Sequence, residues 1–185
     1  MPHSTHNPVI RQVRHWVNTM VVGLNLCPFA RREVDRDRIR YQLSEADQAV
    51  LLLTDIESEL VLLTRDSSIE TSLLILTRYL RDFDDFNQFL DLADALLVQM
   101  NLDGIFQFAS FHPDYQFADS PVDDVANYTN RAPWPILHIL REDSIASALQ
   151  SHTSAEKIPE QNIRRLRALG EKEVKKLLDS FDPQA

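Results

Sequence analysis

The run Ser72-Leu73-Leu74-Ile75-Leu76 is unbroken in apolar side chains over its last four positions and lies between two long stretches of helical periodicity. A strand with one wet face alternates apolar and polar residues, so a run of this kind suits a strand covered on both faces. The helices that supply the cover are legible on either side. Ala46, Ala49, Val50, Leu53, Ile56, Leu60 and Leu63 recur along one side of a helix ending near Thr64, with Ser44 as its expected cap. Phe86, Phe89, Leu90, Ala93, Leu96, Leu97 and Met100 form the clearest helical stripe in the chain, capped by Asp82 and ended by Asn101-Leu102-Asp103-Gly104.

Three more strands follow from local pattern. Ile39-Arg40-Tyr41-Gln42-Leu43 alternates, Ile105 to Phe111 runs into His112-Pro113, and Ile136 to Leu140 closes a long polar loop. Asn7-Pro8 is a helix start for Val9, Val13, Trp16, Val17, Met20 and Leu24, predicting a helix over about 8–24. Asp143 or Ser144 opens a short helix to about Ser151, and a last one is predicted over about 159–181, from Pro159 through Ile163, Leu166, Leu169, Val174 and Leu177 to Phe181. The expected fold class is α+β: a four-stranded mixed sheet packed with helices over about 39–151, with a ferredoxin-like arrangement among the topologies this allows. At 185 residues, one domain over 1–185 is expected.

The balance of charge narrows the function. A net charge of −9 makes a phosphate backbone or an anionic membrane surface a repulsive partner, so neither nucleic acid nor membrane is expected. The N-terminal residues lack a basic segment followed by an apolar core, and one cysteine cannot form an internal disulfide. Cytoplasmic location is the expectation. Arg164, Arg165, Arg167, Lys172, Lys175 and Lys176 make a basic face on the last helix, read first as a solvated face that balances charge elsewhere.

The groups able to do chemistry gather between Phe111 and Glu142, with Cys27 outside that stretch. Cys27 follows a helix end in a turn closed by Pro28, and it reads either as an inert small hydrophobe or as a thiol activated by Arg31 and Arg32. His112, held extended by Pro113, and His138, within an apolar strand, are its candidate partners for covalent catalysis. His138 also reads as a core histidine bonded to a backbone carbonyl. Arg131, with Asn127 and Asn130 beside it, suits a small anion held by a guanidinium fork; the alternative pairs Arg131 with Asp123 or Asp124 to pin the loop. His112, His138, Asp114, Asp119, Asp123, Asp124 and Glu142 supply ligand types for zinc or iron, without any of the compact metal signatures. Three glycines, none adjacent, exclude a phosphate cradle, and no cofactor is named by the sequence.

Three blocks, Gly23 to Ala30, Phe111-His112-Pro113 with Tyr115 to Ala118, and Asn127 to Arg131 through Pro135 to Leu137-His138 and Leu140 to Ser144, together resemble an uncharacterised bacterial family catalogued as a domain of unknown function. The resemblance implies one full-length domain and blocks that act as a unit. It implies no reaction.

Three functional expectations follow. The first is an enzyme with Cys27, His112 and His138 as its catalytic groups, and Arg31, Asn127, Asn130 and Arg131 holding a small anionic or acyl substrate. The second is a metal-dependent enzyme or metal-binding protein built on His112, His138 and carboxylates, and the third a non-catalytic binding or adaptor domain. The sequence leaves the oligomeric state open.

Overall fold

The computed structural model describes residues 7–151 and 155–180. A four-stranded sheet is formed by β1 (Ile39–Ser44), β2 (Thr71–Leu76), β3 (Phe106–Phe111) and β4 (Ile136–Arg141), in the order β1-β2-β4-β3. β1 and β2 are parallel, while β4 is antiparallel to both β2 and β3. The sheet is mixed and the class α+β. Of the topologies left open, the ferredoxin-like one is not adopted: its strands follow a β-α-β-β-α-β succession, whereas here the two helices that flank β2 precede β3 and β4, which adjoin as a pair.

All six residues of β2 are buried, because it is interior to the sheet and covered on both faces. Leu74, Leu76, Phe106, Leu137 and Ile139 face α3 (Ala49–Arg65) and α4 (Phe83–Gln99). Leu73, Ile75, Tyr41 and Ile136 face the other layer. That layer holds α1 (Pro8–Trp16), a π-helical continuation over Val17–Val22, α6 (Ile158–Leu169) and α7 (Glu171–Leu178). Burying each such Leu or Ile contributes about 1.5–3 kcal/mol.

The cap chemistry at two helix starts is as the sequence predicts. Asn7 Oδ1 accepts from the Val9 amide at 2.9 Å with Pro8 at the first helical position, and Asp82 Oδ1 accepts from the Asp84 and Asp85 amides. Ser44 does not cap α3. It ends β1, its hydroxyl bonds Asp55 at 2.6 Å, and the helix starts five residues later, without a side-chain cap. The buried side of α3 runs through Leu52, Ile56, Glu59, Leu60 and Leu63, which turns Val50 out to solvent. Glu59 is buried because Arg40 Nε meets both its oxygens, at 3.1 and 2.8 Å, and the Ser72 hydroxyl donates to it at 2.6 Å.

Three further departures have local causes. The first helix widens into π geometry after Trp16, where Thr19 Oγ1 donates to the His15 carbonyl and Asn18 Nδ2 to the Arg14 carbonyl. It turns at Gly23, where a Cβ would stand 2.3 Å from the Thr19 carbonyl oxygen. A short helix, α2 (Ala30–Asp35), follows Cys27 where only a turn is legible. The predicted final helix is broken into α6 and α7 at Gly170, whose φ of 82° no helix interior adopts; Phe181 lies outside the described residues. The remaining helix, α5, spans Glu142–Ser151 directly after β4.

Candidate functional site

The antiparallel register places the end of β3 beside the ends of β1 and β2. Phe111 pairs with Ile136, which pairs with Ile75 near the end of β2. Residues leaving these strands share one end of the sheet, a common location for ligand sites in open sheets. His112 is the first residue beyond β3. The ladder is prolonged around it, because its amide donates to the Asn130 carbonyl at 3.1 Å and its carbonyl accepts from Ala132 at 3.4 Å.

Side-chain alternation then fixes where the ring goes. Phe111 packs in the layer of α1, edge-on to Trp16 at 5.1 Å, so His112 faces the opposite layer. There its ring lies 5.4 Å from Phe83 and 5.3 Å from Phe86, both at the start of α4, and it is 0% exposed. Tyr115 packs tilted against Phe83 at 5.1 Å and Phe117 meets Tyr115 edge-on at the same distance, extending the aromatic wall.

The polar account of His112 is incomplete. Nδ1 accepts from the Asp114 amide at 3.0 Å, so in the neutral ring the proton resides on Nε2. Nε2 is buried, and among the described residues it has no hydrogen-bond partner. The carbonyls of Leu80 and Arg81 lie near the ring as acceptors and favour its cation, but their geometry falls short of a full hydrogen bond. Burial pushes the His112 pKa below the usual histidine value, outweighing these carbonyls and Asp114 and Asp82, which favour the cation. The segment that supplies the carbonyls is strained: Leu80, a buried residue, has a φ of 56°. Next to it Arg81 stacks on Trp134 at 4.4 Å, and Trp134 Nε1 donates to Gln12 of α1 at 2.8 Å.

His138 presents a different picture. It faces the α1 layer, 6.1 Å from Phe111, and its Nε2 lies 2.7 Å from the Thr71 hydroxyl. That hydroxyl donates to the Ile139 carbonyl, so the ring Nε2–H is the donor to Thr71. The expected bond to a backbone carbonyl is therefore relayed through Thr71. The residue is half-buried, and burial of its ring pushes the pKa down to about 4. The two histidines thus occupy opposite faces of the sheet and do not converge on one ion or one substrate atom.

Cys27 lies beside Leu26, which packs in the α1 layer, in a loop held to α6 by Asn162 Nδ2 on the Leu26 carbonyl and Arg165 on the carbonyls of Leu24 and Asn25. Burial pushes its thiol pKa up, against a smaller lowering by the Phe29 and Ala30 amides. Arg31 and Arg32 are exposed on α2, and Arg32 pairs with Glu33 at 3.4 Å. Among the described residues, the interactions of Cys27 and of the two histidines do not include one another.

The residues expected to clamp an anion instead hold their own loop. Asn127 Oδ1 accepts from the Phe117 amide and the Ser120 hydroxyl, and its Nδ2 donates to the Pro121 carbonyl. Asn130 Nδ2 donates to the Ser110 carbonyl. Arg131 lies over Tyr128 at 4.6 Å and donates to the carbonyls of Tyr115 and Val122, so the loop is pinned through carbonyls, not through Asp123 or Asp124. Asp124 caps a 3-10 turn and meets Arg167 at 3.2 Å. No group of three or more His, Cys, Asp or Glu placed to hold a metal occurs among the described residues. The basic helical face is largely matched within the chain: Arg164 with Glu160, Arg167 with Asp124, Lys175 with Glu171 and Lys176 with Glu173.

Sequence reasoning missed the surroundings of His112: Leu80, Arg81, Phe83, Phe86 and Tyr115. Asp82 as a helix cap was the one available signal that a turn stops beside this site, whereas a left-handed leucine has no signature.

The fold and site define a small α+β domain with an enclosed, incompletely bonded histidine at one end of its sheet. The chain belongs to the family described as protein of unknown function DUF1415, whose model matches residues 8–176. Neither the curated proteins nor the solved structures contain a match. No helix among the described residues is long and apolar enough to cross a membrane.

Proposed function

We propose that the protein is an enzyme acting on a small anionic or acyl substrate, and that His112 meets that substrate through its Nε2–H once the Leu80–Arg81 segment enclosing the ring moves aside. The observation that carries this reading is the buried Nε2 donor without a partner. Buried polar groups are nearly always satisfied, and an exception calls for an explanation such as a role toward a ligand. With Nδ1 already engaged by the Asp114 amide, the neutral ring acts as a hydrogen-bond donor and not as a base. A neutral imidazole of this kind stabilises negative charge that develops on a carbonyl or phosphoryl oxygen. The strained Leu80 backbone beside it supports the same reading, since strain of this type clusters at functional sites.

Cys27 enters this reading as a secondary group. Its raised pKa leaves it a thiol at neutral pH, so nucleophilic attack would require a base brought to it by the substrate or by motion of its loop.

The test combines a thermal-shift panel of small carboxylates, phosphate esters and acyl esters with nitrogen NMR of the histidine rings. Support is a compound that moves the His112 Nε2–H resonance and is bound or turned over about a hundredfold less well by His112→Gln. A panel in which each active compound acts equally on parent and His112→Gln sinks the proposal.

A further inference from the structure

A second site lies at the opposite end of the sheet. A cleft of about 200 Å3 opens at the start of β1, lined by Ile10 and Arg14 of α1, Ile39 and Tyr41 of β1, Ile69 ahead of β2, and Asp37. β1 is an edge strand, and the carbonyls of Arg38 and Ser44 accept from Glu70 and Thr77 on the β2 side. By alternation, the amide and carbonyl of Ile39 and of Tyr41 point away from β2, toward the open edge.

The charges around the cleft are unequally matched. Arg38, on its rim, pairs with Glu33 at 3.4 Å and with Glu70 at 2.9 Å, and Arg40 with Glu59 at 2.8 Å. Among the described residues Arg14 pairs with Asp37 alone, at 3.9 Å and with an aspartate side chain that is 86% exposed, and such a pair contributes little. Its guanidinium is oriented by stacking over Tyr41 at 4.3 Å, while its Nε is buried without a hydrogen-bond partner. A planar cation fixed against an aromatic ring, its side chain 39% exposed in a cleft that three isoleucines line, matches a ligand that is anionic at one end and apolar at the other. Burial pushes the Tyr41 hydroxyl up to about 12, so it does not add an opposing charge at neutral pH.

We infer that this cleft binds a small organic carboxylate, with Arg14 holding the carboxylate and Ile10, Ile39 and Ile69 enclosing a short branched hydrocarbon. The volume is that of roughly six or seven waters and falls below the range of about 300–1,000 Å3 for drug-sized ligands, which sets the size of the guest. The site is independent of His112, which lies past the other end of the strands.

The test titrates the full chain with 3-methylbutanoate, its neutral amide and inorganic phosphate, following the Arg14 Nε–H resonance and the isoleucine methyls by NMR. The expected result is a saturable shift of Arg14 and of the Ile39 and Ile69 methyls with the carboxylate, at least about tenfold weaker with the amide and in Arg14→Gln. Arg14→Lys, which keeps the charge but not the planar fork, is expected to fall between, and serves if the glutamine variant loses the parent's spectral dispersion. No saturation, equal binding of the amide, or unchanged binding in the Arg14 variants overturns the inference. Phosphate that moves Arg14 as strongly as the carboxylate does also overturns it, by reducing the cleft to a simple anion site.

Discussion

His112 directly follows β3 and His138 lies on β4, its antiparallel neighbour, and in both rings burial opposes the charged form. The difference between them is in the hydrogen bonds. His138 gives its Nε2–H to Thr71, which passes a proton donor on to the Ile139 carbonyl, and the chain of partners closes. His112 is enclosed by Phe83, Phe86 and the Leu80–Arg81 segment, and although the carbonyls of Leu80 and Arg81 lie near its ring, among the described residues none takes its Nε2–H with hydrogen-bond geometry. A lowered pKa therefore does not distinguish a packing histidine from a site histidine in this protein. The unmet donor is the difference on which the role proposed for His112 rests.

The largest effect that tests this contrast is on stability. His112→Ala empties the space between Phe83 and Phe86 and is expected to cost about 3–5 kcal/mol, as truncations of buried rings do. His112→Leu refills most of that space and removes the orphan donor, but it leaves the Asp114 amide without its Nδ1 acceptor, so it is expected to recover part of the loss, with about 1 kcal/mol of it remaining. Urea denaturation of the two variants measures both. A leucine variant as unstable as the alanine one would mean that the Nε2–H has a stabilising partner after all, and the contrast with His138 would disappear.

The next effect is on pH dependence, and its sign follows from His138. Its pKa is about 4 in the folded chain against 6.5 in the unfolded one, so between these values the unfolded state binds more protons. Stability is then full above about pH 6.5 and falls as pH drops toward 4, by on the order of 3 kcal/mol. His112, shifted in the same direction, steepens the same window. In denaturation at several pH values, His138→Gln should flatten the slope between pH 6.5 and 4 while leaving the carboxylate-driven loss at lower pH. An unchanged slope would show that His138 titrates normally.

Much of the fold was readable because the signals are local. The β2 run, the α4 stripe and the Asn7 and Asp82 caps each depend on residues a few positions apart. What escaped depends on contacts distant in sequence or on backbone dihedrals. Ser44 looks like a helix cap, but Asp55 engages its hydroxyl after β1 has formed. Glu59 fits no apolar stripe, yet it is buried because Arg40 and Ser72 arrive from two strands. At the site, His112 and His138 were legible as candidates, but their assignment to opposite faces required the β3/β4 register. Asn127 and Arg131 have the composition of an anion clamp, and only the folded loop reveals that its own carbonyls and amides occupy them. Arg14 escaped altogether, since nothing along α1 reports that Tyr41 stacks on its guanidinium.

The smallest effect tests the other half of the contrast, the closure of the His138 network. The Thr71 hydroxyl has one proton, given to the Ile139 carbonyl, and one lone pair receiving the His138 Nε2–H. Thr71→Val keeps the shape of the side chain and removes both bonds, leaving the His138 ring N–H without its acceptor and the Ile139 carbonyl with its ladder partner on β2 alone. A loss of about 1–2 kcal/mol is expected, with Thr71→Ser restoring most of it because the hydroxyl returns. Nitrogen NMR adds a readout independent of stability: the Nε2–H form of His138 should dominate in the parent and the serine variant but lose its preference in the valine variant. A valine variant as stable as the parent, with the tautomer unchanged, would leave His138 no better satisfied than His112. The case for His112 as the site histidine would then have to rest on Leu80 and the aromatic wall alone.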